Sequence, residues 1–196
     1  MIALTFDGGG SNAGTAAILD TLATTGTPAT FFLTGDFANA YPESARRIAA
    51  SYPIGNHTQN HPDLTTLSDA GVREEIRTGA ASIRSVTGVD PRPYFRFPFG
   101  AVNARVIRLA NAECYVPFRW TVDTLGWQGT KAMSADTVRQ RVLDGASPGG
   151  IILMHLGAHP TDSSTLDADA LPGIIAGLRA QGYTLVTVER LLPAAP

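Results

Sequence analysis

Cysteine is nearly missing from this 196-residue sequence. The single Cys114 excludes an internal disulfide and any cysteine-based zinc cluster. It stands in Ala112-Glu113-Cys114-Tyr115, ahead of an apolar run, where a small buried residue is the expected reading rather than a nucleophile. Charge of either sign is in short supply as excess: 15 Lys and Arg meet 17 Asp and Glu, a formal net charge of −2. Such a balance gives no electrostatic reason to expect nucleic acid or an anionic membrane as partner. No apolar run approaches the roughly 18 residues of a membrane span. Fixed-length repeats, low-complexity tracts and charge blocks are absent, and the first residues are not expected to be a signal peptide. Pro and Gly punctuate the chain evenly, so one domain over residues 1–196 is expected. Ile2-Ala3-Leu4-Thr5-Phe6 reads as a strand beginning almost at the first residue, from which we expect an export signal or linker upstream in a longer protein.

What is present is a 44% hydrophobic composition, enough for a real core. Short β-rich runs alternate with helix-period segments. The expected strands are residues 2–6, 29–34, 53–56, 94–97, 115–122, 150–155 and 183–188. Pro42 suits a first helical turn, and Ser68, Asn103 and Ser134 have the character of N-caps. Val72, Ile76, Ala80, Ile83 and Val86 form one helical stripe; Leu171, Ile174, Ile175 and Leu178 form another. Strand–helix alternation of this kind predicts an α/β fold with a parallel sheet covered by helices, closed as a barrel or open and doubly wound.

The polar residues with chemical potential fall at strand ends: Asp7, His57, Arg96, Asp123 and His155. Parallel α/β folds gather those ends on one face, where they carry their chemistry. In His57-Thr58-Gln59-Asn60-His61 two imidazoles stand four residues apart, a spacing able to bring both onto one cation. His155 closes the apolar run Ile151-Ile152-Leu153-Met154, where desolvation is expected to hold its pKa near or below neutrality, useful in a proton donor. His159 reads as a solvated loop residue. Two motif matches are decoys. Gly8-Gly9-Gly10-Ser11-Asn12-Ala13, with Asp36 beyond, outlines a dinucleotide fingerprint, but Asp7 would set a carboxylate where a pyrophosphate must approach. Gly145-Ala146-Ser147-Pro148-Gly149 fits G-x-S-x-G yet runs from helix into strand, and Pro148 has no N–H to offer an oxyanion.

With these residues in view, the chain resembles the polysaccharide deacetylases of the NodB-homology type, carbohydrate esterase family four. Five motifs appear in the family's order: Thr5-Phe6-Asp7, His57 with His61, Arg96-Phe97-Pro98-Phe99-Gly100, Asp123-Thr124-Leu125-Gly126-Trp127 and Leu153-Met154-His155. The resemblance implies an irregular (β/α)7–8 barrel of parallel strands. It implies Asp7 as catalytic base oriented by Arg96, His155 as acid, and His57 and His61 as metal ligands with Asp7 a further candidate. Phe99 would lend its N–H to the oxyanion, Trp127 would wall the site, and Leu153 would line the acetyl pocket. The implied cofactor is a divalent ion, Zn2+ first and Co2+ or Ni2+ as alternatives. The implied substrate is a polysaccharide or oligosaccharide: an N-acetylglucosamine polymer such as chitin or peptidoglycan, or O-acetylated xylan. A secreted or cell-wall-associated monomer is expected.

Three positions depart from the family pattern. Gly8 replaces a metal-binding Asp, Gly126 replaces the Asp that pairs with the acid His, and Phe99 replaces a Tyr. Without a carboxylate at 126 another group must set the His155 tautomer, and Asp123 is the candidate. The same losses leave room for a carbohydrate-binding pseudoenzyme of this fold, or for a related hydrolase of small amides. A nicotinamide-dependent oxidoreductase using the loop from Gly8 to Ala13 is the reading from a different class.

Overall fold

The structure, a computed structural model, describes residues 1–192. In chain order its elements are β1 (Ile2–Gly8), α1 (Thr15–Thr25), β2 (Thr30–Leu33), α2 (Gly35–Ala40), α3 (Pro42–Ala49) and β3 (Ile54–Asn56). Then come α4 (Asp69–Thr87), β4 (Tyr94–Phe95), α5 (Ala104–Ala112), β5 (Val116–Pro117) and β6 (Val122–Asp123). The chain closes with α6 (Ala135–Gly145), β7 (Gly150–His155), α7 (Leu166–Ala180) and β8 (Leu185–Val186). The described residues sort into two compact units, neither contiguous in sequence: one is residues 1–7, 11–30 and the described part from 120 onward, the other residues 8–10 and 31–119. The chain passes between them at four points.

In the first unit β1 is the central strand. All seven of its residues are buried, which is why it reads as an unbroken apolar run rather than an alternating one. Thr5, polar and buried within it, donates its hydroxyl to the Ile152 carbonyl at 2.6 Å. β1 pairs in parallel with β7 along six positions, from Ile2 against Gly150 to Asp7 against His155, and with β8 at Ile2 and Ala3. β6 lies parallel to β7, with Asp123 opposite Leu153. Helix α7 packs on α1 and α6. Its expected stripe of Leu171, Ile174, Ile175 and Leu178 is fully buried. Each such aliphatic side chain contributes roughly 1.5–3 kcal/mol by leaving water.

The second unit carries β2, β3, β4 and β5 as parallel neighbours, with Leu33 opposite Asn56, Asn56 opposite Phe95, and Phe95 opposite Pro117. Leu64, Val72, Ile76, Phe95, Phe97, Val106, Leu109 and Tyr115 close its core. The expected helix starts are in place. Ser68 accepts from Gly71 N, Asn103 from Val106 N, and Pro42 opens α3. In the first unit Ser134 caps α6 in the same way.

Two expectations fail here. The run 115–122 is not one strand: β5 and β6 are separate, the first beside β4 and the second beside β7. Pro117 has no N–H to continue a ladder, and the Phe118 carbonyl turns to accept from Arg96 Nε at 3.3 Å. Cys114 is exposed, not buried. It takes a left-handed conformation (φ 65°) just past α5, with its N–H on the Asn111 carbonyl.

Candidate active site

The imidazole pair belongs to the second unit. His57 follows β3, and its backbone N–H still bonds across to the Leu33 carbonyl at 2.9 Å. Its ring is buried, with Nδ1 2.8 Å from the Arg96 carbonyl oxygen. A carbonyl only accepts, so Nδ1 carries the proton and Nε2 presents a lone pair. The His61 ring stands 4.7 Å from it, centroid to centroid, at 74°. Edge contact with Phe99 at 4.6 Å braces His61 from the other side.

This arrangement is built rather than incidental. Thr58 and His61 both adopt positive φ (72° and 62°), a conformation rare outside glycine that costs about 1–3 kcal/mol each and needs outside support. The support is a polar cage. Buried Asn56 accepts from Thr58 N and donates to the Ile76 carbonyl and the Tyr115 hydroxyl. Thr58 Oγ1 accepts from His61 N at 3.0 Å, and Glu75 of α4 takes the N–H groups of Gln59 and Asn60. Gly79, in the middle of α4, lets the helix come this close, since a Cβ there would stand 2.6 Å from the Thr58 carbonyl.

Arg96 is wholly buried, the largest side chain in that condition. Its guanidinium lies 4.1 Å over the Phe32 ring. Phe99 is 68% exposed with φ 58°, so the turn at Pro98-Phe99-Gly100 is held in a left-handed bend.

The candidate acid–base residues belong to the first unit. Asp7, buried near the end of β1, is the register partner of His155 at the end of β7, and its carbonyl accepts from Leu156 N at 3.0 Å. Leu153 is buried, two residues before His155 on the same face of β7. Asp123 is occupied in holding its own turn. Oδ1 accepts from Leu125 N at 2.9 Å, and Oδ2 lies 3.4 Å from the indole Nε1 of Trp127, itself half exposed.

His155 departs from expectation twice. Burial lowers its pKa, but the carboxylate of Asp167, then those of Asp7 and Asp123, more than offset this and hold it above 6.5. The residue facing its Nδ1 is Asp167, not Asp123: Asp167 Oδ2 lies 3.4 Å from the ring nitrogen and accepts the His155 backbone N–H at 2.7 Å. Asp167 occupies the first turn of α7, where an acidic residue is unremarkable, so nothing in the sequence around it pointed to the site. His159 is not the solvated residue expected either. Its Nδ1 sits 3.2 Å from Asp162, which in turn bonds the Thr130 N–H and hydroxyl.

Comparison with known proteins places these motifs. Residues 1–116 match the family model for polysaccharide deacetylases. This chain belongs to that family. Among its curated relatives is the peptidoglycan-N-acetylglucosamine deacetylase of Bacillus cereus, 35% identical over 97% of this chain and 67% of its own length. The chitooligosaccharide deacetylase of Azorhizobium caulinodans is 30% identical over 94% of this chain and 90% of its own. Among solved structures, BA3943 of Bacillus anthracis, described as a pseudoenzyme of carbohydrate esterase family four, superposes with a TM-score of 0.87. That match has 31% identity and covers 98% of this chain and 65% of that one. The parallel α/β fold expected from the sequence is therefore the family's fold.

The donor set fits a divalent ion: two imidazoles converge, one with its tautomer fixed by a backbone carbonyl, as a ligating histidine requires. Among the described residues no group of three or more His, Cys, Asp or Glu side chains is gathered for a metal.

Proposed function

We propose that the chain is a metal-dependent deacetylase of an N-acetylglucosamine polymer, with peptidoglycan ahead of chitin-type oligomers and acetylated xylan. The observation that carries it is the carboxylate–imidazole pair of Asp7 and His155, register partners on adjacent parallel strands in the family's first and fifth motifs. Relatives named as peptidoglycan and chitooligosaccharide deacetylases support the substrate class.

In this reading His57 and His61 hold the ion, zinc in the first instance, and Asp7 is the further ligand candidate. Such an ion supplies Lewis acidity toward the acetyl carbonyl and lowers the pKa of water. Asp7 takes the proton from the attacking water. The N–H of Phe99, presented by its left-handed bend, donates to the developing oxyanion, a contribution of about 3 kcal/mol where such a donor is preorganised. His155, its pKa raised by the carboxylates around it, delivers a proton to the departing amine. Trp127 offers an exposed indole face for a pyranose ring, and Leu153 an apolar wall for the acetyl methyl. Export to the cell wall, where such a substrate lies, belongs to the same proposal.

The second reading, a carbohydrate-binding pseudoenzyme, is favoured by Gly8 and Gly126 and by the likeness to BA3943. Acetate release from peptidoglycan, chitooligosaccharides and acetylated xylan, measured with metal analysis of the same preparation, separates the two. Release that is lost on chelation and restored by zinc supports the enzyme. Sugar binding with no release, in protein carrying stoichiometric zinc, supports the pseudoenzyme.

A further inference from the structure

Gly126 is the residue most suggestive of lost catalysis, and its surroundings argue the opposite. Its φ is not left-handed, so the backbone at 126 accepts any L side chain. What excludes one is Asp167. A Cβ built on Gly126 runs into the Asp167 carboxylate, with Cγ 2.8 Å away and Oδ1 nearer still. The volume that a side chain from 126 would enter is already filled by a carboxylate arriving from α7. That carboxylate is 96% buried, since only 4% of its side chain is exposed. One of its oxygens faces Gly126 without a hydrogen-bond partner, and the other holds the His155 backbone N–H with the His155 ring nitrogen at 3.4 Å.

We propose that Asp167 is the positioning residue for His155, a carboxylate moved from residue 126 to the first turn of α7, and that the two positions are mutually exclusive. Asp167 fixes the ring with its proton on Nδ1 and turns Nε2 toward the substrate. Because Oδ2 also grips the His155 backbone, strand end and ring are registered by one group. The glycine at 126 is then a consequence of the relocation and not a mark of decay. The inference rests on the deacetylase reading for its kinetic half and on geometry alone for its structural half.

Four proteins test it: wild type, Asp167→Asn, Gly126→Asp, and the swap Gly126→Asp with Asp167→Ala. Asp167→Asn keeps shape and loses the charge. Its deacetylation of an N-acetyl substrate should fall about 10²-fold, and hydrolysis of an O-acetyl ester by clearly less, because an amine needs the delivered proton more than an alkoxide does. A merely structural residue would lower both alike. Gly126→Asp should be the least stable of the set, with two carboxylates competing for one space. The swap should recover most of the wild-type amide activity. Long-range 15N–1H spectra of the His155 ring supply a readout independent of turnover: an Nδ1–H tautomer in wild type and in the swap, and a mixed pattern in Asp167→Asn. Equal loss on amide and ester, an unchanged His155 spectrum in Asp167→Asn, or a swap that stays unfolded or inactive would each overturn the proposal. A wild type that releases no acetate yet shows the predicted spectra would remove the deacetylase reading and leave the positioning role standing.

Discussion

His57 and His155 are the same side chain in the same kind of place, at the end of a parallel strand, yet their surroundings treat the ring differently. His57 turns Nδ1 to a neutral backbone carbonyl, which fixes the tautomer and asks nothing of the ring's charge. His155 turns Nδ1 to the carboxylate of Asp167, with Asp7 and Asp123 also near enough to favour its protonated form. A carbonyl partner leaves the neutral ring with a lone pair on Nε2, as a ligand needs. A carboxylate partner orients the ring in the same way and also stabilises the imidazolium, as a proton donor needs. In the proposed mechanism these surroundings suit His57 to the ion and His155 to proton delivery.

The hardest way to break this comparison is to remove the ligand side of it. His57→Ala or His61→Ala should abolish stoichiometric zinc uptake and with it acetate release, a larger loss than the roughly 10–100-fold that follows from disturbing groups outside the ligands. Metal analysis after gel filtration is the check, and undiminished zinc in both variants would sever His57 from the ligand role. Asp7→Asn comes next. Removing a general base costs about 10²–10⁴-fold in turnover, and zinc content measured alongside shows whether Asp7 is a ligand as well. Full activity in this variant would remove the base from the mechanism.

These large effects concern residues visible in the sequence, and the reason is physical. A ligand pair four residues apart, or an Asp and a His closing apolar strands, are local patterns fixed by the chain's own periodicity. So were the caps at Ser68, Asn103 and Ser134 and the buried stripe on α7. What stayed hidden depends on contacts between distant segments. Asp167 looks like any acidic residue in a helix's first turn until the fold sets it against Gly126 and His155. Gly79 looks like a weak point in α4 until the Thr58 carbonyl is seen beneath it. The break within 115–122 follows from which strand each half pairs with, a choice apolarity alone does not make. Cys114 is exposed and itself left-handed, a conformation that no local motif announced.

Gly79 offers a smaller, sharper perturbation of the ligand side. Gly79→Ala improves helix propensity by about 1 kcal/mol, yet its Cβ would press on Thr58 and Asn56, the cage that holds two left-handed residues in place. Overpacking of this kind costs about 1–3 kcal/mol. The net expectation is a modest loss of stability in urea, accompanied by weaker zinc binding although no ligand has changed. A stabilised variant with unaltered zinc affinity would mean that α4 and the imidazole loop are not coupled through that contact.

The mildest test addresses the acid side through pH. His155 is held above its ordinary 6.5 in the folded chain, against the pull of burial, by Asp167 first and then Asp7 and Asp123. A group whose folded pKa is raised contributes stability fully below the unfolded pKa of about 6.5, and that contribution fades as pH climbs through the folded value. The stability difference between wild type and His155→Gln should therefore favour wild type most at pH 5.5–6 and shrink toward pH 8.5, as read from urea unfolding at each pH. The same shift sets the sign of the kinetic effect. Since His155 must be protonated to deliver its proton, the alkaline limb of kcat/KM should fall above 6.5 in wild type and move toward lower pH in Asp167→Asn. An alkaline limb that ignores Asp167 would show that His155 is tuned by something other than the carboxylate facing it, and the contrast with His57 would then lose its cause.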